Sequence, residues 1–233
     1  MVAGMCGRFS ITLPNDAMAR LFGAVPANDL PDVPNYNVCP TNAVHVVTAQ
    51  GGQRRLGAMR WGFIPQWYKK PNDGPLLINA RSETIADKPA FRSACRTRRA
   101  VMIASGFYEW TRDGDARLPW YITRTDGAPL AFAAIWQAWS PKEQHSDGTE
   151  MRTAAIVTTQ ANGPMSAIHH RMPVILEPDA LALWLGEAGK GAAALMRPAP
   201  DHALQWHRVG RAVNSNRASG AQLTDPLDAA DGS

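Results

Sequence analysis

Near the start of the chain a cysteine directly follows a methionine, in MCGRF (5–9). If synthesis begins at Met5 and that methionine is removed, Cys6 becomes the first residue, with a free α-amine beside its thiol. The reference pKa of an α-amine is about 7.7–8.0 against about 10.4 for lysine, so at pH 7 roughly 15% of such amines are unprotonated, compared with roughly 0.04% of lysines. Such an amine attacks an aldehyde and forms a Schiff base with no need of a buried lysine. The thiol can then add to the imine carbon and close a five-membered thiazolidine ring. Serine would attack more weakly and alanine not at all. The plainer reading is a small, soft residue near a loose terminus, and the rest of the chain has to decide between them.

Four further segments carry side chains suited to chemistry. In LLINARSET (76–84) an apolar run ends at Asn79, whose amide can hydrogen-bond a ligand; Arg81, two residues on, points the same way if the strand continues. The same letters also suit a strand-to-helix junction capped by Ser82 or Asn79. GFYEW (106–110), if extended, puts Phe107 and Glu109 on one face and Tyr108 and Trp110 on the other. A carboxylate among aromatic rings is partly desolvated, which suits it to general acid–base work; a buried pair with Arg96, Arg98 or Arg99 is the alternative. AIHHRMPVIL (167–176) places His169, His170 and Arg171 in a polar corner before a strand, where a histidine can shuttle protons or simply cap a turn. Finally, MRWGFIPQWYKKP (59–71) interleaves Arg60, Lys69 and Lys70 with Trp61, Phe63, Trp67 and Tyr68. Cations for phosphates and flat rings for unstacked bases are what single-stranded nucleic acid requires. In the bland version Trp61 and Phe63 are core, leaving only Trp67 and Tyr68 exposed.

These residues need a scaffold, and the pattern around them is mostly strand. AVHVVTA (43–49), AVMIASGFYEW (100–110), LPWYITR (118–124), PLAFAAIW (129–136), TAAIVTT (153–159) and MPVILE (172–177) are short, apolar and bounded by turn formers. RDGDA (112–116) and TDGAP (125–129) both read as hairpin turns. Helices are predicted for NDAMARLFG (15–23), with an Asn cap and a closing Gly, for EPDALALWLGEAG (177–189), and over 82–95. No regular βαβ alternation is present. The expected fold is an α+β single domain with a curved or barrel-like, mostly antiparallel β core and flanking helices.

Composition bounds the function. At 233 residues and 45% hydrophobic, the chain supports one sizeable globular domain. No apolar run reaches the roughly 20 residues of a membrane span, and no secretory signal is visible, so a cytoplasmic protein is expected. Three cysteines, Cys6, Cys39 and Cys95, form neither a disulfide framework nor a metal-ligand spacing, and no metal or cofactor is expected. A net charge of +4 is a weak pointer toward polyanions.

Side by side, MCGRF (5–9), YNVCPT (36–41), RWGFIPQW (60–67), INARSET (78–84), GFYEW (106–110), HHRMPVIL (169–176) and RAVNSNRASGAQLTDPL (211–227) resemble the SOS-response-associated peptidase family. Its members process abasic sites in single-stranded DNA. The resemblance implies that Cys6 forms a thiazolidine with the ring-opened abasic sugar and that Asn79, Glu109 and His169 line the active site. It further implies that Arg8 and Arg81 hold phosphates and that Pro40, Trp67 and Tyr68 form a DNA-contacting, stacking surface; Arg171 joins this DNA-binding set. Shielding the lesion is the expected role, with AP-lyase-like activity and self-processing peptidase activity as side reactions. The partner the resemblance implies is single-stranded DNA carrying abasic sites, expected to be bound covalently by a monomer that associates with the nucleoid when on DNA. The expected domain is 5–228, with 1–4 a removed extension or a mis-assigned start and 229–233 a disordered tail.

The chain departs from the family pattern in places. MVAG precedes Met5 and, if retained, leaves Cys6 without a free amine. His170 stands where the family usually has an acidic residue, and Cys39 sits beside Pro40. Two other readings compete. One is an N-terminal nucleophile glutamine amidohydrolase, which also begins Met-Cys-Gly but has no evident use for NARSET, GFYEW or HRMP. The other is a non-covalent single-stranded DNA-binding module, which needs only the aromatic and basic stretch.

Overall fold

The computed structural model describes residues 7–27, 29–141 and 150–227. Cys6 and the tail expected to be disordered therefore lie outside the described residues. The chain begins with β1 (Phe9–Ile11), α1 (Asn15–Phe22), β2 (Ala24–Pro26), β3 (Asn35–Val38), β4 (Ala43–Gln50) and β5 (Gln53–Trp61). Then come β6 (Asn79–Arg81), α2 (Arg92–Thr97), β7 (Arg99–Ala104), β8 (Gly106–Asp113), β9 (Ala116–Arg124) and β10 (Leu130–Trp139). The order ends with β11 (Met151–Gln160), β12 (Arg171–Pro173), α3 (Leu181–Leu185) and β13 (Leu204–Arg208).

The strands form two sheets, one ordered β13-β9-β8-β1-β3 and the other β12-β11-β10-β7-β4-β5-β2 with β6 added on β11. Antiparallel pairs carry β11 to β10, β7, β4 and β5, and a parallel pairing of β11 with β5 (Thr153 beside Arg60) closes that circuit into a ring. Closure removes free edges that would otherwise seek other chains. The expected α+β domain with a barrel-like, mostly antiparallel core is the architecture found.

One hydrophobic core is shared by both sheets. Phe9 of β1 lies 5.0 Å from the Trp61 ring and 6.2 Å from Phe132, and Phe107 of β8 lies 5.9 Å from Phe132. All four rings are at most 1% exposed. Burying one such side chain contributes about 1.5–3 kcal/mol, which fixes the sheets against each other and with them the side chains at their rims.

Several sequence expectations are corrected. AVMIASGFYEW is two strands: the chain breaks at Ser105, so β7 enters the ring and β8 the smaller sheet. TDGAP is not a hairpin turn, because β9 pairs with β13 and β8 while β10 pairs with β7 and β11; the segment carries the chain between sheets. RDGDA is a hairpin turn, with Asp113 opposite Ala116. The helical region predicted over 82–95 shrinks to α2, and MPVILE contributes only the end of β12 plus a bridge from Ile175 to Phe132. Asn15 does not cap α1: Pro14 occupies the cap position, and the Asn15 amide oxygen lies 2.9 Å from His45 Nε2. Gly23 closes that helix at φ 58°, as a terminal glycine should.

Candidate active site

Asn79 opens the three-residue β6 rather than ending an apolar strand. Parallel pairing sets Asn79 beside Ile156, Ala80 beside Val157 and Arg81 beside Thr158. Ala80 is fully buried, so the alternation leaves Asn79 half-buried and Arg81 exposed on the opposite face. On the other side of β11, Thr158 meets Pro173 and Gln160 meets Arg171 of β12. Three strands thus gather Asn79, Arg81 and the His169–Arg171 corner at one rim of the ring.

The corner is tightly built. The backbone N–H of Arg171 donates to His169 Nδ1 at 3.1 Å, which leaves the proton of a neutral ring on Nε2. The His169 and His170 rings lie 4.4 Å apart. Partial burial, and then the neighbouring charges of His169, Arg171 and Arg81, push the His170 pKa below its ordinary value. A positive charge on His170 is thereby disfavoured.

Arg171 itself is 7% exposed and holds Glu83 in a two-pronged pair, Nη1 to Oε1 at 2.5 Å and Nη2 to Oε2 at 2.9 Å. Nη2 also donates to the Thr158 carbonyl at 2.8 Å. These bonds make Arg171 a clamp that ties β12 to β11 and to the turn after β6, so the guanidinium placed in the DNA-binding set is committed inside the protein. Sequence reasoning assigned nothing to Glu83, although it stands two residues after Arg81 inside NARSET.

Glu109 comes from the other sheet. It is 4% exposed, on the same face of β8 as Phe107, and cross-strand pairing sets it beside Trp120. The extended face pairing read from GFYEW holds: Phe107 joins the main core, while Tyr108 packs in a separate cluster that Trp110 flanks. β1 lies between β8 and β3, with Phe9 opposite Phe107 and the Arg8 carbonyl accepting from Tyr108 N–H at 3.0 Å. Continuing that register puts Gly7 level with Glu109, one peptide bond from Cys6. From β1 the Phe9 ring reaches Trp61, whose indole N–H donates to the Ile78 carbonyl at 3.1 Å, next to Asn79. That chain of contacts connects the strand that leads from Cys6 to both halves of the site.

The DNA-facing set divides. Trp67 is 51% exposed, as an outward stacking ring must be, whereas Tyr68 is 9% exposed and packs with Ile64 and Trp139. Its carbonyl accepts from the Trp139 indole at 2.9 Å, so Tyr68 buttresses the loop instead of sharing its open face with Trp67. Trp61 and Phe63 are core. Pro40 is half-buried, next to Thr41, which holds a φ of 77° that a β-branched residue rarely adopts. Arg8 is 7% exposed; it donates to Asn37 Oδ1 at 2.6 Å, to the Val213 carbonyl at 2.9 Å and to Asn216. Burial pushes its pKa down, and its charge fastens YNVCPT and the C-terminal VNSN segment to β1. Asn37 and Asn216 were legible only as polar letters within those motifs. Cys39, also buried, has its thiol pushed up by burial. Among the described residues no group of His, Cys, Asp and Glu side chains could hold a metal ion, and no helix is long and apolar enough to cross a membrane.

With this geometry in hand, the chain can be compared with known proteins. Residues 5–216 match the family model described as SOS response associated peptidase (SRAP). The abasic site processing protein YoaM of Bacillus subtilis is 35% identical over 95% of this chain and 98% of its own length. The abasic site processing protein YedK of Escherichia coli is 33% identical over 96% and 100%. A solved structure of a Bacteroides thetaiotaomicron protein shares the fold with a TM-score of 0.83 at 23% identity, covering 95% of this chain and all of its own. Match, length and architecture agree: this chain belongs to the SOS response associated peptidase family.

Proposed function

We propose that this protein processes abasic sites in single-stranded DNA by forming a covalent thiazolidine through Cys6. The observation that carries the reading is the gathering of Asn79, Arg81 and His169 at one rim, joined through Phe9 and Trp61 to β1, which pairs with the strand β8 that carries Glu109. The family match beginning at Met5, and relatives named as abasic site processing proteins, support it further.

The chemistry balances without an oxidant or cofactor. The Cys6 amine, exposed once the preceding residues are absent, attacks C1′ of the open sugar, giving a carbinolamine. Loss of one water leaves an imine. The thiol S–H then adds across C=N: a C–S bond forms, nitrogen takes the hydrogen, and the ring closes. Glu109, nearly removed from solvent, donates the proton that lets water depart, and His169, with its ring proton on Nε2, donates a hydrogen bond to the departing oxygen. The Asn79 amide holds the sugar oxygen. Arg81, exposed at the rim, and Trp67, exposed on the loop before β6, hold the phosphate and a flanking base. An imine at C1′ acidifies the C2′ protons, so strand cleavage by β-elimination accompanies any variant in which ring closure is slow.

The test is intact mass after incubation with an oligonucleotide carrying one abasic site. The expected product weighs protein starting at Cys6 plus DNA less one water, survives heat, and disappears in Cys6→Ala. A protein that begins at Cys6 yet gives no heat-stable adduct overturns the reading.

A further inference from the structure

Between α2, the start of β7 and the loop after α3 lies a cavity of about 500 Å³ bounded by Cys95, Arg96, Arg99, Trp184, Lys190 and Met196 among others. None of its lining residues is acidic. Arg99 is fixed there: Nε donates to the Trp184 carbonyl at 2.5 Å, and Nη1 donates to the carbonyls of Cys95 at 3.2 Å and Arg96 at 2.9 Å. Its guanidinium also lies 6.0 Å from the Trp184 ring. Those bonds hold the guanidinium in place, with Nη2 beside Gly186. Arg96 and Lys190 are exposed and add two mobile cations. Lys190 sits between Gly189 at φ 87° and Gly191 at φ 117°, so the loop closing α3 turns twice through left-handed backbone around it. The one carboxylate of that loop, Glu187, is turned away and paired with Arg54 at 2.7 Å.

The cavity also has a neighbour on the side of the site already described. A neighbouring groove is lined by Ser82, Glu83, Thr159, Gln160, Ala193 and Met196, among others, and shares Ala193 and Met196 with it. Ser82 directly follows Arg81, and Glu83 is the partner of Arg171. The groove beside the residues that follow Arg81 therefore adjoins, at Ala193 and Met196, a pocket with three cations and no anion.

We infer that this pocket is a second phosphate-binding site, which holds a backbone phosphate of the strand flanking the lesion. Arg99 supplies a fixed positive charge in the wall, while Arg96 and Lys190 close over the phosphate from solvent. The inference rests on the reading of the rim as a DNA site, and undamaged DNA tests it without any crosslink chemistry. A free phosphorylated molecule presents the same chemistry, so the experiment separates the two sources.

Full-length protein and the double variant Arg96→Ala/Lys190→Ala, both exposed positions, are titrated with undamaged single-stranded oligonucleotides extended on either side, across a salt series. Each neutralised phosphate on a single strand contributes about 0.7 to the slope of log affinity against log salt, so losing this one lowers the slope by about 0.7. Between 50 and 200 mM salt that amounts to roughly a 2.6-fold difference in how far affinity falls. The expected result is that lengthening one flank strengthens binding by wild type, and that the double variant loses this gain together with the slope. Inorganic phosphate that shifts the backbone resonances of Lys190 and Gly191 at millimolar concentration, with no flank-dependent gain, would assign the pocket to a free phosphorylated ligand and overturn the strand assignment. Equal slopes and equal gains in both proteins, with no phosphate response, would overturn the site altogether. Failure of the Cys6 adduct with these results intact would refute the crosslinking reading alone.

Discussion

The clamp between Glu83 and Arg171 lends itself to a quantitative test, because it ties stability to the placement of His169. Glu83→Gln keeps the shape of the side chain, removes its charge and turns an N–H₂ toward one guanidinium nitrogen. Arg171 is 7% exposed, but the Glu83 side chain is 42% exposed. The loss should therefore fall between the 0–1 kcal/mol of an exposed pair and the 3–5 kcal/mol of a broken buried one, at about 1–2 kcal/mol. For a domain of this size that lowers Tm by roughly 2–8 °C. The pH dependence supplies an internal check. The hydrogen bonds from Arg171 hold the Glu83 carboxyl below its ordinary value of 4.5. A depressed acid contributes stability that is present above its ordinary pKa and lost as pH falls through the lowered one. The gap between wild type and variant should be full at pH 7 and close progressively below pH 4.5. Urea unfolding at a series of pH values measures both. Because the Arg171 backbone N–H positions His169, the variant should also slow adduct formation more than it weakens DNA binding. A gap under about 0.3 kcal/mol at pH 7, or one that does not narrow in acid, refutes the clamp, since even a single charged hydrogen bond contributes more.

Other perturbations follow from the same geometry. His45 is 1% exposed, and burial holds its pKa down at about 4 against an ordinary 6.5, so the unfolded chain binds the extra proton first. Stability should rise between pH 4 and pH 6.5 by up to about 3 kcal/mol, and His45→Gln should flatten that part of the curve; an unchanged slope would rule His45 out. Gly106→Ala drives a Cβ into the Tyr121 ring, whose hydroxyl bonds Ser10 Oγ at 2.7 Å, and should cost about 1–3 kcal/mol of unfolding free energy. Loss under about 0.5 kcal/mol would mean the small sheet shifts freely, contrary to close packing. Trp67→Ala should weaken single-stranded DNA binding by about 1–3 kcal/mol with little change in Tm, while Tyr68→Ala should chiefly lower Tm. The reverse pattern would return Tyr68 to the DNA face.

What the sequence disclosed and what it hid follow a physical division. Strands with continuous apolar runs, such as β10 and β11, were legible because both faces are buried in the ring. β5 was not, because QRRLGAMRW mixes charges into a nine-residue strand. Its signal lay in the turn before it: Gly51 and Gly52, at φ 59° and 77°, are the pair that a two-residue hairpin demands. The break at Ser105 is invisible in AVMIASGFYEW because both halves are equally apolar, and only sheet assignment separates them. Within the site, Asn79, Glu109 and His169 could be singled out by residue type and setting. Tyr68 could not be sorted from Trp67, since adjacent rings read alike until Ile64 and the sequence-distant Trp139 close over one of them. Glu83, Asn37 and Asn216 act by holding arginines, and a holding role depends on who arrives opposite, which a single sequence does not encode.

Exposure then sorts the candidate site by depth. Trp67 is 51% exposed and Arg81 lies open to solvent; Asn79 and His169 are half-buried; Glu109 is 4% exposed. A strand arriving from water would meet a ring and a cation first, the amide and imidazole next, and the carboxylate last. Charged groups in solvent attract phosphates over distance but are screened by salt, whereas a desolvated carboxylate is little screened and poised for proton transfer. The two ends should therefore fail differently. Changes at Trp67 or Arg81 should alter affinity, and at Arg81 its salt dependence, while the rate of adduct formation at saturating DNA stays close to wild type. Glu109→Gln, which keeps shape and removes the proton, should leave affinity alone and reduce that saturated rate, by the 10²–10⁴-fold typical of a lost general acid, about 3–5 kcal/mol. If Glu109→Gln instead weakens binding in proportion to rate, the buried carboxylate shapes the site rather than moving protons, and the division by depth fails at its innermost member.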